Sequence, residues 1–471
     1  MNINLHPKQY QAYSSQATEI LYGGAAGGGK SFLMRVALIL WCAAIPGLQC
    51  YLFRRTFPDL MKNHMEGPTS FPVLLADWVK RKIVRITYDD NAIRFWNGST
   101  IFLCHCQHEK DKFKYQGAEI HVLMMDELTH FTKTIYSYLR ARVRMTGITL
   151  PDLFRSCFPR ILTGSNPGGV GHNWVKFDFV DKGLEPFVTP DEDGGMLRQY
   201  IPARLDDNPT LMKEDPKYLA RLAGLGNPAL VKAMRDGDWN IVSGGMFDDL
   251  WRPDKHIWRP FHIPETWKVD RSFDWGSSKP FSVGWWAESD GSPIVVRDGM
   301  RELQRHVPKG SVFLIAEWYG WNGAPNEGLK MMSRDIAKGI KEREKFLKLR
   351  VQPGSADSSI FDAVDGRSIA SEMATEGVKW LPADKSPGSR KTGWQKIREM
   401  LDEGLKDRPE SPILGVFSTC QQWIRNVPAL PRDERDPDDV DSDAEDHDGD
   451  MTRYRIMAPR RTLQEQKLGG M

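Results

Sequence analysis

The first stretch whose residue types indicate chemistry is rich in glycine. Residues 24–31 read GAAGGGKS, which is the spacing of a loop that binds phosphate groups. Lys30 would reach the β and γ phosphates of a nucleotide, and Ser31 would hold Mg²⁺. Positive φ angles at the glycines would turn backbone N–H groups toward the phosphates. These glycines are Gly23, Gly24, Gly27, Gly28 and Gly29. A glycine-rich turn without a ligand is the alternative.

Two carboxylates follow an apolar run further along the chain. Residues 121–125 read HVLMM, and Asp126 and Glu127 come next. This pattern is typical of a buried parallel strand that ends in acids at the ligand edge of a sheet. Asp126 would position the Mg²⁺ shell, and Glu127 would activate the attacking water as a general base. Alone the pattern is weak, but after a phosphate loop it predicts a site for nucleotide hydrolysis.

Polar residues at two further positions could belong to the same site. Ser165 and Asn166 follow a strand-like run at 160–163, where they could sense the γ phosphate and relay its hydrolysis. A plain Pro-Gly turn explains them equally well. Gln9 precedes the phosphate loop and could read the edge of adenine through its amide. A solvent-facing helix residue is the commoner case.

Arg54 and Arg55 come at the end of a strand-like run that begins at Gln49. In a parallel α/β sheet this is where the ligand crevice lies. One of the two arginines could therefore contact a phosphate or DNA. Ordinary surface cations are an equally good interpretation.

Three aspartates in the second half could share divalent cations. Asp274 ends a strand-like run, Asp357 lies in a loop, and Asp450 opens an apparent helix at 451–457. Together they would repel one another unless a cation lay between them. Such a set suits two Mg²⁺ or Mn²⁺ ions about 4 Å apart that activate water for attack on a phosphodiester. His447 could face the same site.

Simpler interpretations exist for each of these acids. Aspartates are common in turns, which could explain Asp274. Residues 433–450 are so acidic that composition alone favours a disordered loop. A carboxylate at position 450 would nevertheless suit the N-terminus of the helix that follows it.

Apolar runs predict the elements that position these groups. A helix at 32–41 would leave the phosphate loop, and residues 92–103 would form a hairpin with its turn at Asn97 and Gly98. In the second half, the run that ends at Asp274 and those at 282–287 and 294–296 would begin a sheet of the RNase H type. The helical pattern stops near residue 250, where we place the domain boundary.

Length and composition limit the classes of protein to consider. The 471 residues predict two to four domains, and a net charge of +2 says nothing about nucleic acid. Six cysteines without a secreted-type framework favour a reducing cytosol. Cys104, His105, Cys106 and His108 could bind zinc, but a strand is favoured because no second pair follows. We find no signal peptide pattern, and the most apolar stretch, 32–48, is too short to span a bilayer.

The order of these motifs resembles that of the large terminase subunit of tailed bacteriophages. The motifs are GGAAGGGKS, MMDE, TGSNP, FDWG, SADSS and EDHDGDMTRY, and the resemblance extends over residues 5–457. It implies an α/β architecture with a P-loop ATPase domain on a mainly parallel sheet (1–248), a linker (249–265) and an RNase H-like nuclease domain (266–471).

The resemblance also implies a function. ATP hydrolysis would drive double-stranded DNA into a procapsid through the portal protein, and the nuclease would cut concatemeric DNA. The cofactors would be ATP and Mg²⁺, with Mn²⁺ possible in the nuclease site. The partners would be DNA, the portal protein, a small terminase subunit and further copies of the chain in a ring. The chain would act in the host cytoplasm and transiently at the portal vertex, without a membrane.

Residue roles carry over by motif. The phosphate and Mg²⁺ residues would be Lys30 and Ser31, the metal and water residues Asp126 and Glu127, the coupling residues Ser165 and Asn166, and the nuclease metal ligands Asp274, Asp357 and Asp450 with His447 as an auxiliary.

This chain departs from the family pattern at two places. Many relatives carry an arginine inside the phosphate loop where this chain has Ala26. The stabilising charge would then come from Arg54, Arg55 or a neighbouring subunit. Glu317 follows the apolar run 312–316, which makes it a rival to Asp357 as the second carboxylate.

Two other classes of protein fit part of the pattern. A helicase or translocase could carry a C-terminal binding module, which would present basic and aromatic surface instead of converging acids. A capsid-associated ATPase with an inactive nuclease is the other possibility.

Overall fold

The chain folds into two compact units, Met1–Asp248 and Asp249–Met471. The computed structural model describes residues 4–224, 231, 234–239, 244–298, 301–363, 365–433 and 435–458. No helix within these ranges is long and apolar enough to cross a membrane.

The first unit is built on one sheet. Its strands are β1 (Glu19–Gly24), β2 (Gln49–Arg54), β3 (Val84–Thr87), β4 (Ala92–Phe95), β5 (Thr100–His105), β6 (Val122–Asp126), β7 (Arg160–Ser165), β8 (Phe187–Val188) and β9 (Leu197–Ala203). Their spatial order is β3-β4-β5-β2-β6-β7-β1-β9-β8. Neighbours from β5 to β9 pair in parallel. Strands β3, β4 and β8 join the edges in antiparallel pairs. The predicted mainly parallel α/β sheet is confirmed.

Helices cover both faces of this sheet. They are α1 (Pro7–Ser14), α2 (Lys30–Ala44), α3 (Phe57–His64), α4 (Phe71–Leu74), α5 (Ala76–Lys80), α6 (Lys133–Arg140), α7 (His172–Asp178), α8 (Pro209–Glu214) and α9 (Tyr218–Ala223). Short 3₁₀ helices span Glu109–Tyr115, Leu128–His130, Asp152–Phe154, Val180–Lys182, Asp191–Asp193 and Leu205–Asp207. The helix predicted after the phosphate loop is present and is longer than predicted at both ends.

Side chains alternate along β1 between two apolar clusters. Ile20 and Tyr22 pack in the cluster that contains Trp41 of α2. Leu21 packs in the opposite cluster with Trp174 of α7. Because successive strand residues point to opposite faces and both faces are covered, all of β1 is buried. This burial fixes the strand that leads into the phosphate loop.

The predicted hairpin between β4 and β5 is confirmed. The two strands pair antiparallel, and Gly98 takes a φ of 83° in the turn. Cys104 lies within β5, where burial raises the pKa of its thiol to about 12. The strand interpretation of this segment therefore holds.

A buried ion-pair network joins β1 to β9. Glu19 and Arg198 occupy neighbouring positions on the two strands and are both buried. Arg198 Nε and Nη2 donate to the two carboxylate oxygens of Glu19 at 2.7 and 3.1 Å. Arg140 and the hydroxyl of Tyr136 also donate to Glu19. Arg198 and Arg140 also pair with Asp193, which is partly exposed. Removing Glu19 would take away their buried counter-charge and leave a buried guanidinium donor of Arg198 without its acceptor.

We expect Glu19→Ala to destabilise the first unit by about 3–5 kcal/mol, the cost of breaking a buried pair by removing one partner. Limited proteolysis of the full chain measures this, because cleavage of a transiently opened unit follows its population. Cuts within residues 4–224 should appear about a hundredfold faster or more. Asp77→Ala, which removes a carboxylate from an exposed pair with Arg81, should change nothing. Equal cleavage rates in the two variants would contradict the assignment.

The second unit has a sheet of different topology. Its strands are β10 (Ile257–Trp258), β11 (Lys268–Asp274), β12 (Ser282–Glu288), β15 (Val312–Tyr319), β16 (Val351–Gln352), β17 (Ser355–Ala356), β18 (Leu381–Pro382) and β19 (Leu414–Phe417), while β13 (Ile294–Asp298) and β14 (Arg301–Arg305) form a separate hairpin. The order is β10-β19-β15-β12-β11-β17-β18, with β16 also beside β11. Within this sheet β12 runs against all the other strands. The RNase H type of sheet is confirmed.

One strand of that sheet was predicted wrongly. Residues 294–296 were expected as its third strand, but they lie in the β13–β14 hairpin. The third strand is β15, which pairs with β12. The reason is burial: Val295 is 50% exposed, whereas the first half of β15 is buried on both faces.

Helices complete the second unit. They are α10 (Pro253–His256), α11 (Ser333–Leu347), α12 (Ile369–Thr375), α13 (Ser389–Gly404), α14 (Gln421–Asn426) and α15 (His447–Ile456), with 3₁₀ helices at Ser358–Phe361 and Val427–Ala429. The segment 249–265, which we expected to be a linker, contributes α10 and the edge strand β10.

Candidate nucleotide and metal sites

The phosphate loop lies between β1 and α2, at the carboxyl edge of the first sheet. Gly29 precedes α2 with a φ of 73°, in the left-handed region that favours glycine. At Gly23 a Cβ atom would lie 2.1 Å from the carbonyl oxygen of Ser165. The loop is therefore packed against the end of β7, which lies between β1 and β6 in the sheet.

Lys30 connects the phosphate loop to the motif after β7. Its Nζ donates to the Ala25 carbonyl oxygen at 2.9 Å and to Asn166 Oδ1 at 2.6 Å. Burial lowers the pKa of Lys30, although Glu127 and Asp126 oppose this shift. The first and third motifs of the sequence thus meet at one ammonium group.

Ser31 lies beside Asp126 at the end of β6. Ser31 Oγ is 3.4 and 3.3 Å from the two carboxylate oxygens of Asp126. Hydroxyl and carboxylate oxygens are the ligands that Mg²⁺ prefers. The two side chains therefore fit a magnesium site by their chemistry and their proximity.

Glu127 follows β6 in a left-handed conformation, with φ 56° and ψ 62°. Such a backbone is uncommon and costly for a residue with a side chain, and strained residues of this kind cluster at functional sites. Glu127 lines a cavity of about 310 Å³ together with Gly24, Ala26, Arg54 and Asn166. This volume is at the lower end of the range of ligand pockets.

Ser165 and Asn166 contact the segment after Glu127 as well as Lys30. The Thr129 N–H donates to Ser165 Oγ at 3.0 Å, and the two hydroxyl oxygens are 2.8 Å apart. Thr129 Oγ1 also donates to the Asn166 carbonyl oxygen at 3.1 Å. The loop after β7 is hence connected both to the phosphate loop, through Lys30, and to the segment after β6, through Thr129. The contact with Thr129 was not predicted from the sequence.

Gln9 lies against the phosphate loop and is only 2% exposed, so the solvent-facing interpretation is wrong. Its Nε2 donates to the Gly29 carbonyl oxygen at 2.9 Å, and its Oε1 accepts from the His6 N–H at 2.9 Å. The Gly29 carbonyl oxygen also accepts the first hydrogen bond of α2, from the Leu33 N–H at 3.0 Å, so the buried side-chain amide of Gln9 supplies its second donor.

His64 was missed by the sequence analysis although it contacts Asp126 directly. His64 Nε2 lies 3.1 Å from Asp126 Oδ2, and both side chains are fully buried. Arg35 Nη1 donates to His64 Nδ1 at 3.4 Å. Because Nδ1 accepts, the proton is on Nε2, which donates to the carboxylate. Burial lowers the pKa of His64, in agreement with a neutral ring.

Two arginines in this region have different surroundings. Arg54 Nη1 is 3.8 Å from Asp126 Oδ2, and Arg54 also lines the cavity. Arg55 Nη1 donates to the His130 carbonyl oxygen at 3.3 Å.

Burial alone would raise the pKa of Asp126, but the hydrogen bond with His64, helped by Arg54 and Lys30, holds it well below its usual range.

In the second unit Asp274 ends β11 and meets His447. His447 Nδ1 is 3.0 Å from Asp274 Oδ2, and Nε2 is 3.2 Å from Asn326 Oδ1. Burial raises the pKa of Asp274 to about 6, and the charges of Asp450 and Asp357 act in the same direction. Burial opposes ionisation of His447, yet its bond with Asp274 raises the pKa of the ring to about 9. Both ring nitrogens then donate.

Asp357 follows β17, the strand beside the end of β11. It accepts from Lys385 Nζ and from the Ser359 N–H at 2.6 and 2.8 Å. Burial favours the neutral acid, but Lys385 lowers the pKa of Asp357. The Tyr454 hydroxyl donates to its other oxygen at 3.5 Å.

Asp450 lies in the first turn of α15, which begins at His447 and not at 451 as predicted. The Asp450 N–H already donates to the Asp446 carbonyl oxygen at 2.8 Å. Carboxylates in a first turn are stabilised by the helix dipole, which lets the acidic run start the helix. Asp450 Oδ1 accepts from Arg453 Nε at 3.1 Å.

The three predicted aspartates lie in one region but are not arranged as a ready metal site. The charges of Asp274, Asp357 and Asp450 all act on Tyr454, whose pKa is raised first by burial and then by them. Each carboxylate is paired with a basic side chain. In the part of the chain that the structure describes, no three Asp, Glu, His or Cys side chains stand together as metal ligands. The oxygen donors suit Mg²⁺ or Mn²⁺ by their chemistry.

The rival carboxylate, Glu317, is engaged elsewhere. Its two oxygens accept from the backbone N–H groups of Gln422 and Trp423 at 2.7 and 2.9 Å. These groups belong to the first turn of α14, so Glu317 acts as a cap. Burial, followed by the charge of Asp448, raises the pKa of Glu317 to about 8.

The fold and these sites define a chain with a P-loop nucleotide-binding unit followed by an acidic RNase H-type unit. Residues 21–253 match the family described as "Terminase large subunit, T4likevirus-type, N-terminal". The first unit therefore matches the family of large terminase subunits. No curated protein matches it.

Solved structures of large terminases resemble this chain at low identity. The large terminase of a thermophilic bacteriophage is 17% identical over 96% of this chain and 98% of that one, with a TM-score of 0.40. The P22 large terminase nuclease domain is 18% identical over 46% of this chain and 92% of that one (TM-score 0.33). The Thermus phage P74-26 large terminase ATPase domain is 14% identical over 50% of this chain and 94% of that one (TM-score 0.34).

We expect His64→Leu to weaken the structure around Asp126. A hydrogen bond to a charged group contributes about 1.5–3 kcal/mol, so amide exchange in β6 should accelerate roughly tenfold to a hundredfold. Hydrogen exchange followed by mass spectrometry measures this, with peptides of the second unit as internal controls. His64→Gln, which keeps an N–H donor, should lose less. Identical exchange in wild type and His64→Leu would show that the histidine does not stabilise the carboxylate.

Proposed function

We propose that this chain is a DNA-packaging motor subunit that hydrolyses ATP in its first unit and cuts double-stranded DNA in its second. The observation that carries the proposal is the junction of three motifs in the first unit. Lys30 contacts Asn166, and Ser31 contacts Asp126, in a chain whose residues 21–253 match the large terminase family.

In the ATPase site the protein side chains would bind and orient the nucleotide and the attacking water. Lys30 would hold the β and γ phosphates with the loop N–H groups, and Ser31 and Asp126 would hold Mg²⁺, which neutralises charge on the phosphates. Glu127, at the cavity, would accept the proton of water. Arg54 is the arginine we assign as charge stabiliser in place of the missing loop arginine, because it lines that cavity.

The choice of nucleotide is supported by a relative. The large terminase of the thermophilic bacteriophage has been solved with ADP and with ATP-gamma-S. Gln9 would contact the adenine edge from its place beside Gly29. Ser165 and Asn166 would couple hydrolysis to motion. The γ phosphate and Asn166 would compete for the ammonium group of Lys30. Loss of the γ phosphate would therefore let Lys30 return to Asn166 and move the loop that carries it.

In the nuclease site Asp274, Asp357 and Asp450 would hold divalent cations, which generate the attacking hydroxide and stabilise the leaving oxygen. Cation binding would require these carboxylates to exchange their partners His447, Lys385 and Arg453 for metal. His447 would then be free to position one carboxylate or donate to a phosphate. A large terminase nuclease from a thermophilic phage has been solved with bound cobalt, and we propose Mg²⁺ or Mn²⁺ here.

The further partners follow from the family. We propose that the subunit assembles into a ring on the procapsid and acts on the portal protein and a small terminase subunit. It would work in the host cytoplasm and transiently at the portal vertex. We further propose that residues 1–248 are the ATPase domain and 266–471 the nuclease domain.

Lys30→Ala should lower the rate of ATP hydrolysis by about 10²–10³-fold, the usual loss when a group that stabilises transition-state charge is removed. Phosphate release by the full chain measures this rate. Lys62→Ala, an exposed lysine on α3, should hydrolyse ATP like wild type. Mn²⁺-dependent cutting by Lys30→Ala should persist. Unchanged phosphate release from Lys30→Ala would end the phosphate-loop assignment.

Asp274→Asn should lower Mn²⁺-dependent cutting of a plasmid by about two orders of magnitude or more, because a metal-held carboxylate supports several kcal/mol of transition-state stabilisation. The substitution keeps the shape of the side chain. Asp335→Asn, an exposed aspartate on α11, is the matched control and should cut normally.

The same assay separates the rival classes. A helicase or translocase with a binding module, or an ATPase with an inactive nuclease, would leave the plasmid intact with wild type as well as with Asp274→Asn. A plasmid that stays intact with wild type would therefore contradict the nuclease half of the proposal. The ATPase half would still be tested by the Lys30→Ala experiment.

A further inference from the structure

The turn that follows β15 carries an asparagine that contacts the start of α15 at two points. Asn326 lies in the segment between β15 and α11. Its Oδ1 is 3.2 Å from His447 Nε2, and its backbone N–H donates to Glu445 Oε1 at 2.9 Å. Glu445 and His447 stand on either side of Asp446, the residue that precedes α15. A single residue of a distant turn is therefore bound to the segment that carries the histidine of the candidate nuclease site.

Glu445 fixes the backbone of this asparagine. Its carboxylate is buried, and the oxygen that binds the Asn326 N–H also accepts from the Tyr319 hydroxyl at 2.8 Å. Tyr319 is the last residue of β15, and its ring centroid is 6.5 Å from that of His447. A buried carboxylate needs hydrogen-bond donors. The requirement of Glu445 for donors thus holds Asn326 beside the imidazole ring.

The same turn is attached to the loop that follows β11. The Gly328 N–H donates to the Ser278 carbonyl oxygen at 2.9 Å. A Cβ atom at Gly328 would lie 2.3 Å from the carbonyl oxygen of Lys279, so this close approach requires glycine. Because β11 ends in Asp274, one loop connects the carboxylate to the turn that carries Asn326.

The backbone of Asn326 separates two explanations for its presence. Its φ is 59°, in the left-handed region where glycine is best and asparagine is better tolerated than most other residues. A glycine would therefore suit the turn, but it would offer no side-chain oxygen to His447. Asparagine meets both demands at once. If only the turn mattered, glycine would serve equally well.

The contact with Asn326 determines how the His447 ring faces Asp274. The other ring nitrogen, Nδ1, is 3.0 Å from Asp274 Oδ2. A hydrogen bond at one nitrogen of an imidazole ring fixes the orientation of the other. When Asp274 exchanges His447 for a cation, as in the proposed function, the bond from Nε2 to Asn326 can persist. The ring would then stay in place with its Nδ1–H directed at the site.

We propose that Asn326 is a positioning residue of the nuclease site, which holds the His447 ring while Asp274 binds the cation. The N–H of Nδ1 would then be available to an oxygen of the phosphate that is cut. The inference rests on the proposed function, because it takes phosphodiester cleavage to be the reaction of the second unit. Asn326 would act through His447 and not by stabilising the turn.

The variant Asn326→Gly, studied in the full chain, tests the proposal. Mn²⁺-dependent cutting of a plasmid should fall about tenfold to a hundredfold, the usual loss when a group that orients a functional side chain is removed. The unfolding temperature should not fall, because glycine suits this backbone. The double variant Asn326→Gly/His447→Ala should cut no more slowly than His447→Ala, since the effects of two residues that act through one contact do not add.

A second measurement reports on the ring without metal or DNA. Diethyl pyrocarbonate acylates imidazole nitrogens, and mass spectrometry gives the rate at each histidine. In Asn326→Gly, His447 should react roughly two- to tenfold faster, because one hydrogen bond no longer protects Nε2. The exposed His262 is the internal reference and should react equally in both proteins. Asn326→Asp keeps an oxygen acceptor and tolerates the same backbone, so it should retain the slow reaction.

The matched control is Asn91→Gly, the same substitution at an asparagine with a φ of 50° in the first unit. It should cut the plasmid and react with the reagent like wild type. Unchanged cutting or unchanged reaction of His447 in Asn326→Gly would overturn the proposal. So would a lower unfolding temperature that accompanies the loss of cutting, or losses that add in full in the double variant.

The plasmid assay also separates this inference from the proposed function. If wild type cuts the plasmid and Asn326→Gly cuts it equally well, the inference alone fails. If wild type does not cut, the proposed nuclease function fails and the inference fails with it.

Discussion

The charge of Asp126 is completely buried, and the order of the N-terminal site depends on how that charge is balanced. A buried carboxylate is stable only when it is paired and hydrogen-bonded. Here the neutral imidazole of His64, the hydroxyl of Ser31 and the more distant guanidinium of Arg54 stabilise the carboxylate. His64 in turn depends on Arg35, which stands four residues after Ser31 on α2 and also donates to the Asn63 carbonyl oxygen at 2.8 Å. The end of α3 is thus connected to the start of α2 through the acid.

The second unit balances its negative charge in a different manner. The three candidate ligands are each paired with a separate base, from α15 or from the loop after β18. Pairing with cations lowers the repulsion that would otherwise keep three carboxylates apart. Behind them, Asp448 is fully buried and accepts from Ser282 and Asn426 at 2.5 and 2.8 Å. The last part of the acidic run, residues 446–450, is therefore an ordered helix start in which Asp446, Asp448 and Asp450 each accept hydrogen bonds.

Much of this arrangement could be predicted, because it follows from strand ends and local spacing. The carboxyl ends of parallel strands meet at one edge, so the loop after β1, Asp126 and Ser165 had to converge. The contact of His64 with Asp126 could not be predicted, since it joins a helix end to a strand 62 residues away without any periodic signal. The burial of Gln9 could not be predicted either, because it depends on a contact with Gly29, 20 residues away, that no sequence period indicates.

The pairing of strands in the second unit was the other feature that the sequence did not predict. Residues 294–296 have strand-forming side chains, but propensity does not specify which neighbour a strand takes. The capping role of Glu317 likewise depends on α14, which is distant in sequence. By contrast, the proximity of Asp274 and Asp357 could be predicted from strand ends, because Asp274 is the last residue of β11, Asp357 directly follows β17, and the two strands pair in parallel.

The left-handed backbone of Glu127 has a consequence for how the chain can change. A residue with a side chain held at φ 56° costs on the order of 1–2 kcal/mol relative to a right-handed one. Glycine or asparagine would relieve this cost but would remove the carboxylate that borders the cavity. Selection for thermal stability alone would therefore act against Glu127, whereas its proposed role as general base would keep it. Under that proposal, the fold gives up stability for reactivity at this corner of the sheet.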